Sequence, residues 1–592
     1  MRPSRPDGAE PVCGRVRFGG RPALARSKAC KTWPQVLRAG HCAIAIDGYF
    51  ALADGLLLGR SDEERARIGA AIAGDLDGFL ARVENGAFNI VIHDYARRET
   101  RLASDSFGAL PLYLARRVDA LLFSATYAGL KDLDERALQH DPVGLAELYW
   151  FGYPLGDRTC YRGVERLPAA SIVTIRWRDG RETRRTYRHP APIPCLPATR
   201  AEAAEFIVAK MQSALRRLQR PDAAFGAKLS AGMDSRLICG TWNSALRTYT
   251  HGFPRAAEPA LARRLADALR MQHRFVPIQG DFFSALHAPV FGLHGIAEYF
   301  HQALVPAMRE DGVEFALDGL AGDVLLGGLT LKRSTSMVRQ ALGLPPRFVR
   351  PPTSDEQIAD LLLEQIRVSD SSYRPLREHA RDAVAECRDA IRGDMAEQVR
   401  LARSRADSLE GIVTEVMFRN RTRNHIALQG AVCRPEVESL YPFLDRELLA
   451  LQGRIPVAWV ANKRLYVDIY TRLLPAIRMV PGVFSLLPFA LPAPLHYAGR
   501  VVRRGLEELG LRVTRVSAGR VHPWAADAIQ WRRWLSFNRE FLGGARAFLR
   551  TSSAFDERAF DAATRDSARG QTISGTRFML TASYCGHFRG ES

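Results

Sequence analysis

The chain has 592 residues, with 83 Lys and Arg against 64 Asp and Glu for a formal charge of +19, and that length predicts more than one domain, since domains commonly hold ~100–200 residues. With 47% hydrophobic and 25% charged residues and a mean hydropathy of −0.15, the composition excludes a disordered chain and a membrane-dominated one. The basic excess does not read as a nucleic-acid surface, because the arginines are spread along the chain and cluster only briefly, as at Arg419, Arg421 and Arg423 or Arg500, Arg503 and Arg504.

No apolar run of ~7–15 residues follows Arg2 and Arg5. The apolar stretch 483–495 is broken by Pro488, Pro492 and Pro494, short of the ~20 residues that a spanning helix needs. A cytoplasmic protein with no secretory signal and no membrane span is therefore expected. The 9 cysteines include no C-x-x-C pair and indicate neither a disulfide framework nor a zinc site.

The first third is β-rich. Residues 41–53 read as buried strand around an Asp47-Gly48 turn, and 88–93 and 120–124 as further strands. Between them 61–83 has helical character, opening with Ser61 and Glu64 at capping-box spacing. The proline-rich stretch 189–197 resists both helix and central strand and is the expected linker, dividing the chain into 1–197 and 198–592. Beyond it helices (201–218, 234–243, 258–269) alternate with short strands (224–229, 247–251, 273–277 and later 315–318). That alternation predicts a parallel sheet with right-handed crossovers. After Leu331 the pattern is mainly helical.

Two loops carry the chemistry. Lys228-Leu229-Ser230-Ala231-Gly232-Met233-Asp234-Ser235 falls where a strand ends and a helix starts, the junction at which a parallel sheet binds ligands and helix N–H groups face an anion. Small residues let the backbone close around a pyrophosphate, Ser230 and Ser235 add hydroxyl donors, and Asp234 suits a bridging Mg²⁺ rather than a bare anion. By itself this is also an ordinary capped turn. The second loop, Asp318-Gly319-Leu320-Ala321-Gly322-Asp323, again follows a strand, so that Asp318 and Asp323 are placed to meet the first loop and share metal-bound phosphate oxygens.

Ser-Ala-Gly-Met-Asp-Ser resembles the Ser-Gly-Gly-x-Asp-Ser pyrophosphate loop of the ATP pyrophosphatase superfamily, and 318–323 the Asp-Gly-x-Gly-Gly-Asp loop of its asparagine synthetase branch. Tyr441-Pro442-Phe443-Leu444-Asp445 is similar to that branch's Pro-Phe-Leu-Asp signature, with Glu438 where the motif's Glu stands. Asp105-Ser-Phe-Gly-Ala-Leu-Pro-Leu-Tyr113 resembles the branch's glutaminase-like domain. The fold implied is α+β and α/β: an N-terminal glutaminase-like (Ntn-type) β-rich sandwich, then a parallel-sheet ATP pyrophosphatase (PP-loop) domain with a largely helical C-terminal region. The activity implied is ATP- and Mg²⁺-dependent adenylation of a carboxylate, releasing AMP and pyrophosphate as an amine attacks to give an amide. Carried over residue by residue, Leu229, Ser230, Ala231, Gly232, Asp234, Ser235, Gly319 and Gly322 would hold the nucleotide, Asp234 and Asp323 the metal, and Glu438 would be catalytic.

Glutamine-dependent members use an N-terminal cysteine as nucleophile, its own amine serving as base. Here Cys13 follows Met1 to Val12 and carries a peptide nitrogen as the sequence is written. The Asn-Gly-Glu turn that holds glutamine is Asp47-Gly48-Tyr49, and the Arg-x-Arg-Gly-Pro-Asp segment is missing. The resemblance therefore implies a degenerate glutaminase domain and an amine from the substrate or a co-substrate, as in β-lactam synthetases, which close a ring in a small amino acid, or, fitting the long helical C-terminal region better, lasso peptide cyclases, which join a peptide's N-terminal amine to an Asp or Glu side chain. The partners so implied are a precursor core peptide, a leader peptidase and a leader-recognition module. A glutamine-hydrolysing asparagine synthetase-type amidotransferase and an inactive scaffold are the alternatives. The lysine that such cyclases place after Leu-Pro is missing behind Leu474-Pro475, where Arg478 stands, and Lys463 lies upstream.

Overall fold

The computed structural model describes residues 13–19, 22–25, 36–187, 197–252, 256–278, 300–326, 352–366, 385–406, 408–460 and 463–483, with short pieces between and beyond. The expected linker lies outside the described residues except for Pro197, as do Cys30, Cys195, Cys585 and Arg500, Arg503 and Arg504.

The N-terminal region is a sandwich of two antiparallel sheets. One holds β1 (Cys13–Arg17), β2 (Ala23–Ala25), β8 (Tyr113–Arg116), β9 (Ala120–Ser124) and β10 (Val164–Arg166), in the order β10-β8-β9-β1-β2. The other holds β3 (Leu37–Ala39), β4 (Cys42–Leu52), β5 (Gly55–Leu57), β6 (Asn85–Asp94), β7 (Glu99–Ser104), β11 (Ser171–Arg176) and β12 (Glu182–Thr186), in the order β12-β11-β7-β6-β4-β3 with β5 on β4. Val16, Val91, Leu102, Leu114, Phe123 and Val173 meet between the sheets and are buried. Burying such apolar side chains supplies the main stabilisation of the layer pair.

The Asp47-Gly48 turn expected from the sequence does not form. β4 runs on as an 11-residue strand, in unbroken register with β6 from Cys42↔Asp94 to Ala51↔Asn85. Gly48 permits this: its φ is +108°, and a Cβ there would stand 2.0 Å from the Ala87 carbonyl oxygen. The turn lies at Ala53-Asp54 instead. The expected helix 61–83 is two, Asp62–Gly74 and Leu76–Arg82, because Asp75 leaves helical backbone and its carboxylate accepts the Gly78 N–H. Ser61 accepts the Glu64 N–H, but Glu64 turns its carboxylate to the N–H groups of Leu58 and Arg60, so the capping box is only half made. A complete box closes the next long helix, Arg200–Leu218, through Thr199 and Glu202.

The second region is built on a five-stranded parallel sheet. β13 (Phe225–Lys228), β14 (Arg247–Gly252), β15 (Gln272–Pro277), β16 (Phe315–Leu317) and β17 (Glu438–Leu440) lie in the order β15-β14-β13-β16-β17, with every pairing parallel. The helices Asp234–Thr241 and Ala257–Ala268 make the crossovers. A single apolar core runs from Tyr49, Leu58 and Phe107 of the sandwich through Met211 and Leu215 of the Arg200–Leu218 helix to Leu317 and Leu440 of the sheet.

Further on, helices span Asp355–Ile366, Arg388–Arg403, Leu409–Met417 and Ala427–Cys433. The stretch Phe418–Ile426 is wound as a π-helix. It grips the sandwich: Asn420 accepts the Gly156 N–H at 2.7 Å, Arg423 donates to Asp157 and to the Leu167 carbonyl at 2.7 Å each, and Phe418 packs on Phe107. No helix among the described residues is long and apolar enough to cross a membrane.

Candidate active site

β13 ends at Lys228, and the chain turns through Leu229–Met233 into the helix Asp234–Thr241. Two serines close the loop. The Ser230 N–H donates to Ser235 Oγ at 3.1 Å, Ser235 Oγ donates to the Ser230 carbonyl at 3.1 Å, and the Gly232 N–H donates to Ser230 Oγ at 3.1 Å. No side chain caps this helix, so its first N–H groups face the loop unclaimed by a cap, the arrangement that binds an anion.

The Asp318–Asp323 loop packs directly on this turn because two of its residues lack side chains. A Cβ at Gly319 would stand 3.0 Å from Asp234 Cβ, and one at Gly322 would stand 2.6 Å from Asp234 Cγ. Ala321, where the family pattern has Gly, sits at φ +75° and is buried. A left-handed conformation costs a non-glycine residue about 1–2 kcal/mol. The two loops thus bring together Ser230, Asp234, Ser235, Gly319, Gly322 and Asp323.

Asp234 is half-buried, and its carboxyl is pushed up to about 7, first by loss of hydration in the loop and then by the negative charge of Asp323. The Tyr466 hydroxyl donates to it, and Arg421 stands 3.9 Å from Asp323. Two adjoining carboxylates, one of which raises the other's proton affinity, fit a divalent cation between them. Among the described residues no group of three or more His, Cys, Asp or Glu side chains is placed to hold a metal ion by itself. A Mg²⁺ here would therefore take its remaining ligands from phosphate and water oxygens, its usual coordination.

Asp318 does not join this pair, contrary to the expectation that both carboxylates of its loop would share the metal. Its carboxylate accepts from Lys228 Nζ at 2.8 Å and from the Leu320 N–H at 3.0 Å. Both lie in a cavity of about 340 Å³ that opens beside the phosphate loop, with Thr250, His251, His301 and Ile426 among its walls. Glu438 is not brought to this cavity. It begins β17 opposite Phe315, at the end of the sheet away from the loops, and accepts from Arg434 Nε at 2.8 Å.

Arg434 also reaches Asp47 of the sandwich at 2.8 Å. Beside it the Tyr49 hydroxyl accepts the Tyr441 N–H at 2.8 Å and donates to Asn85 at 3.1 Å, while the Asn85 amide donates to the Tyr441 carbonyl. Asp47 and Tyr49, aligned with the glutamine-holding turn, are thus committed to the joint between the sandwich and the Tyr441–Asp445 motif. Asp105 is spent on its own turn, accepting the N–H groups of Phe88, Phe107, Gly108 and Ala109. Cys13 pairs in β1 opposite Ser124.

Sequence reasoning missed Lys228, His251, His301, Tyr466 and Arg236. A lysine ending an apolar strand is itself a signal. Arg236 gave none; it is fully buried, donates to the carbonyls of Val480 and Pro481 at 2.9 and 2.8 Å, and lies over the rings of Tyr470 and Phe489. The Val483 N–H donates to the Ala231 carbonyl at 3.2 Å, tying the same segment to the phosphate loop.

Residues 208–475 match the asparagine synthase family, and residues 73–188 match the glutamine amidotransferase domain family. Proteins described as putative glutamine-hydrolysing asparagine synthetases of Mycobacterium bovis and Mycobacterium tuberculosis are each 30% identical over 321 residues, 48% of this chain and 48% of theirs. The chain therefore spans about half the length of the curated relatives it matches. Among solved structures, glutamine phosphoribosylpyrophosphate amidotransferase from B. subtilis, complexed with ADP and GMP, is similar at 12% identity and a TM-score of 0.20, over 53% of this chain and 70% of that one. An allosteric regulatory enzyme of purine biosynthesis is similar at 10% identity and a TM-score of 0.18, over 45% of this chain and 75% of that one. The amidotransferase segment 73–188 followed by the synthase segment 208–475, with the Ser230–Ser235 and Asp318–Asp323 loops packed together, supports an asparagine synthetase-like superfamily for the matched part of the chain.

Proposed function

We propose that the chain is an ATP- and Mg²⁺-dependent amide ligase, organised as 1–197 and 198–592, and within that class a macrolactam synthetase of the lasso peptide type. In this reading ATP activates an Asp or Glu side-chain carboxylate of a leader-free precursor peptide, and the peptide's own N-terminal amine displaces AMP. The loop N–H groups with Ser230 and Ser235 would hold the departing pyrophosphate, and Asp234 and Asp323 would hold a Mg²⁺, which would supply positive charge to offset it. Holding amine and activated carboxyl in one cavity converts a bimolecular attack into an intramolecular one. A precursor peptide, a leader peptidase and a leader-recognition module belong to this reading as partners.

One observation carries the choice of amine. Asp47 is ion-paired to Arg434, and the Tyr49 hydroxyl is bonded to Tyr441 and Asn85, which supports a sandwich that braces the synthase sheet in place of holding glutamine. The mycobacterial relatives, described as putative glutamine-hydrolysing asparagine synthetases, and the amidotransferase match favour a second reading, a glutamine-hydrolysing asparagine synthetase-type enzyme. Glutamate release from glutamine by the full chain, measured beside ATP-dependent AMP release, separates the two. AMP without glutamate supports the cyclase reading, and glutamate above a Cys13→Ala control supports the second. Asp234→Ala and Asp323→Ala should each abolish AMP release; retained turnover in both would remove the metal assignment.

A further inference from the structure

The floor of the cavity holds a cluster that neither the anion site nor the carboxylate pair uses. Lys228 ends β13 and is buried; its ammonium donates to Asp318 at 2.8 Å and to Ser439 Oγ at 2.9 Å, with His301 Nδ1 at 3.5 Å. His251, in β14, stands beside His301 with ring centroids 6.0 Å apart, and both line the cavity. The cluster is therefore assembled from β13, β14 and β17, the loop after β16 and the segment Phe300–Leu304, all beside the phosphate loop.

Charge balance decides what this corner takes. A bare lysine would call for an anion, but Asp318 cancels its charge at hydrogen-bond distance. Burial, helped by the nearby lysine, holds His251 down at about 3 and His301 at about 4, so both imidazoles are neutral near pH 7. The corner offers donors, acceptors and flat rings without net charge, which suits a neutral heteroaromatic group better than a carboxylate. An ammonium donor beside a carboxylate acceptor complements an edge that sets a ring-nitrogen acceptor beside an amino donor. Adenine has such an edge, whereas guanine presents acceptors at both corresponding atoms.

We infer that Lys228 and Asp318, walled by His251 and His301, are specificity-determining residues that read the base of the bound nucleotide. This rests on the ATP reading above. The test measures dissociation constants of the full-length protein with Mg²⁺ for ATP and for inosine triphosphate, which replaces the amino donor by a carbonyl. The native protein should bind ATP at least about tenfold more tightly, the scale of one hydrogen bond to a charged group. In Lys228→Met/Asp318→Asn, which removes both charges together so that none is stranded, the preference should collapse toward unity. Equal binding of the two nucleotides by the native protein, or an undiminished preference in the double variant, overturns the inference. Should the double variant fail to fold, His301→Leu, which removes one wall of the same corner, takes its place: the preference should fall there too, and an undiminished preference overturns the inference. Failure of the native protein to bind either triphosphate is a separate result, which removes the ATP reading itself.

Discussion

Replacing Arg217 by Met should be among the most damaging single changes outside the cavity. Arg217, near the end of the Arg200–Leu218 helix, donates to Asp445 through Nε at 3.1 Å and through its second nitrogen at 2.7 and 2.8 Å. The Asp445 side chain is 0% exposed and that of Arg217 14%. Without Arg217 the Asp445 carboxylate keeps the Glu447 N–H at 3.2 Å but loses its counter-charge. Stranding one partner of a buried pair costs about 3–5 kcal/mol. Burial already lifts Asp445 to about 6, with Arg217 pulling the other way, so the variant's carboxyl rises further. A raised acid is protonated in the folded state where the unfolded chain is ionised, so the loss is full above the folded pKa and shrinks as pH falls through it. Urea midpoints should therefore show a large deficit at pH 7.5 and a smaller one at pH 5, and Arg217→Met/Asp445→Asn should recover most of it. A variant within about 0.5 kcal/mol of the native protein at pH 7.5 would refute the reasoning, since that is the range of an inert surface change.

Two further expectations follow from the sandwich. Gly48→Ala places a methyl group 2.0 Å from the Ala87 carbonyl at φ +108° and should cost at least about 3 kcal/mol, read as a lowered unfolding midpoint; an unchanged midpoint would count against the close approach of β4 and β6. His93, buried against Thr100, is held down at about 4 by burial. The unfolded chain takes up a proton between about pH 6.5 and 4 that the folded chain refuses, so this contribution is full above that window and is lost through it, by up to about 3 kcal/mol. In His93→Gln the fall in urea midpoint from pH 7 to pH 4.5 should be smaller than in the native protein, and an equal fall would place the acid sensitivity elsewhere.

The alternation of strand and helix from Arg200 onward was legible because each βα unit announces itself locally: Thr199 with Glu202, then an apolar strand, then small residues before Asp234. The phosphate loop was legible for the same reason. What escaped is decided at long range. Asp47-Gly48 reads as a turn pair, yet β6 on one side keeps it in strand, a contact invisible to a local pattern. Asp318 and Asp323 read alike as loop carboxylates, and only the packing of β13 against β16 gives one a lysine and the other a second aspartate. Glu438 matches its motif in spacing, but Arg434, one helical turn earlier, claims it. Sequence spacing fixes which residue types are near; it does not decide which partner each charge takes.

Arg236 bears on the thermodynamics of ligand capture. By anchoring the carbonyls of Val480 and Pro481 from inside the helix that follows the phosphate loop, with Val483 bonded to Ala231, it makes loop, helix and downstream segment one piece. The ordering entropy of that assembly is borne at folding, so a nucleotide arriving at the loop meets donors already aimed and forfeits little affinity to organising them. Loosening the segment at Phe489 or Tyr470, far from any phosphate, should then register first as weakened nucleotide binding, because the disorder released there would have to be removed again at each encounter.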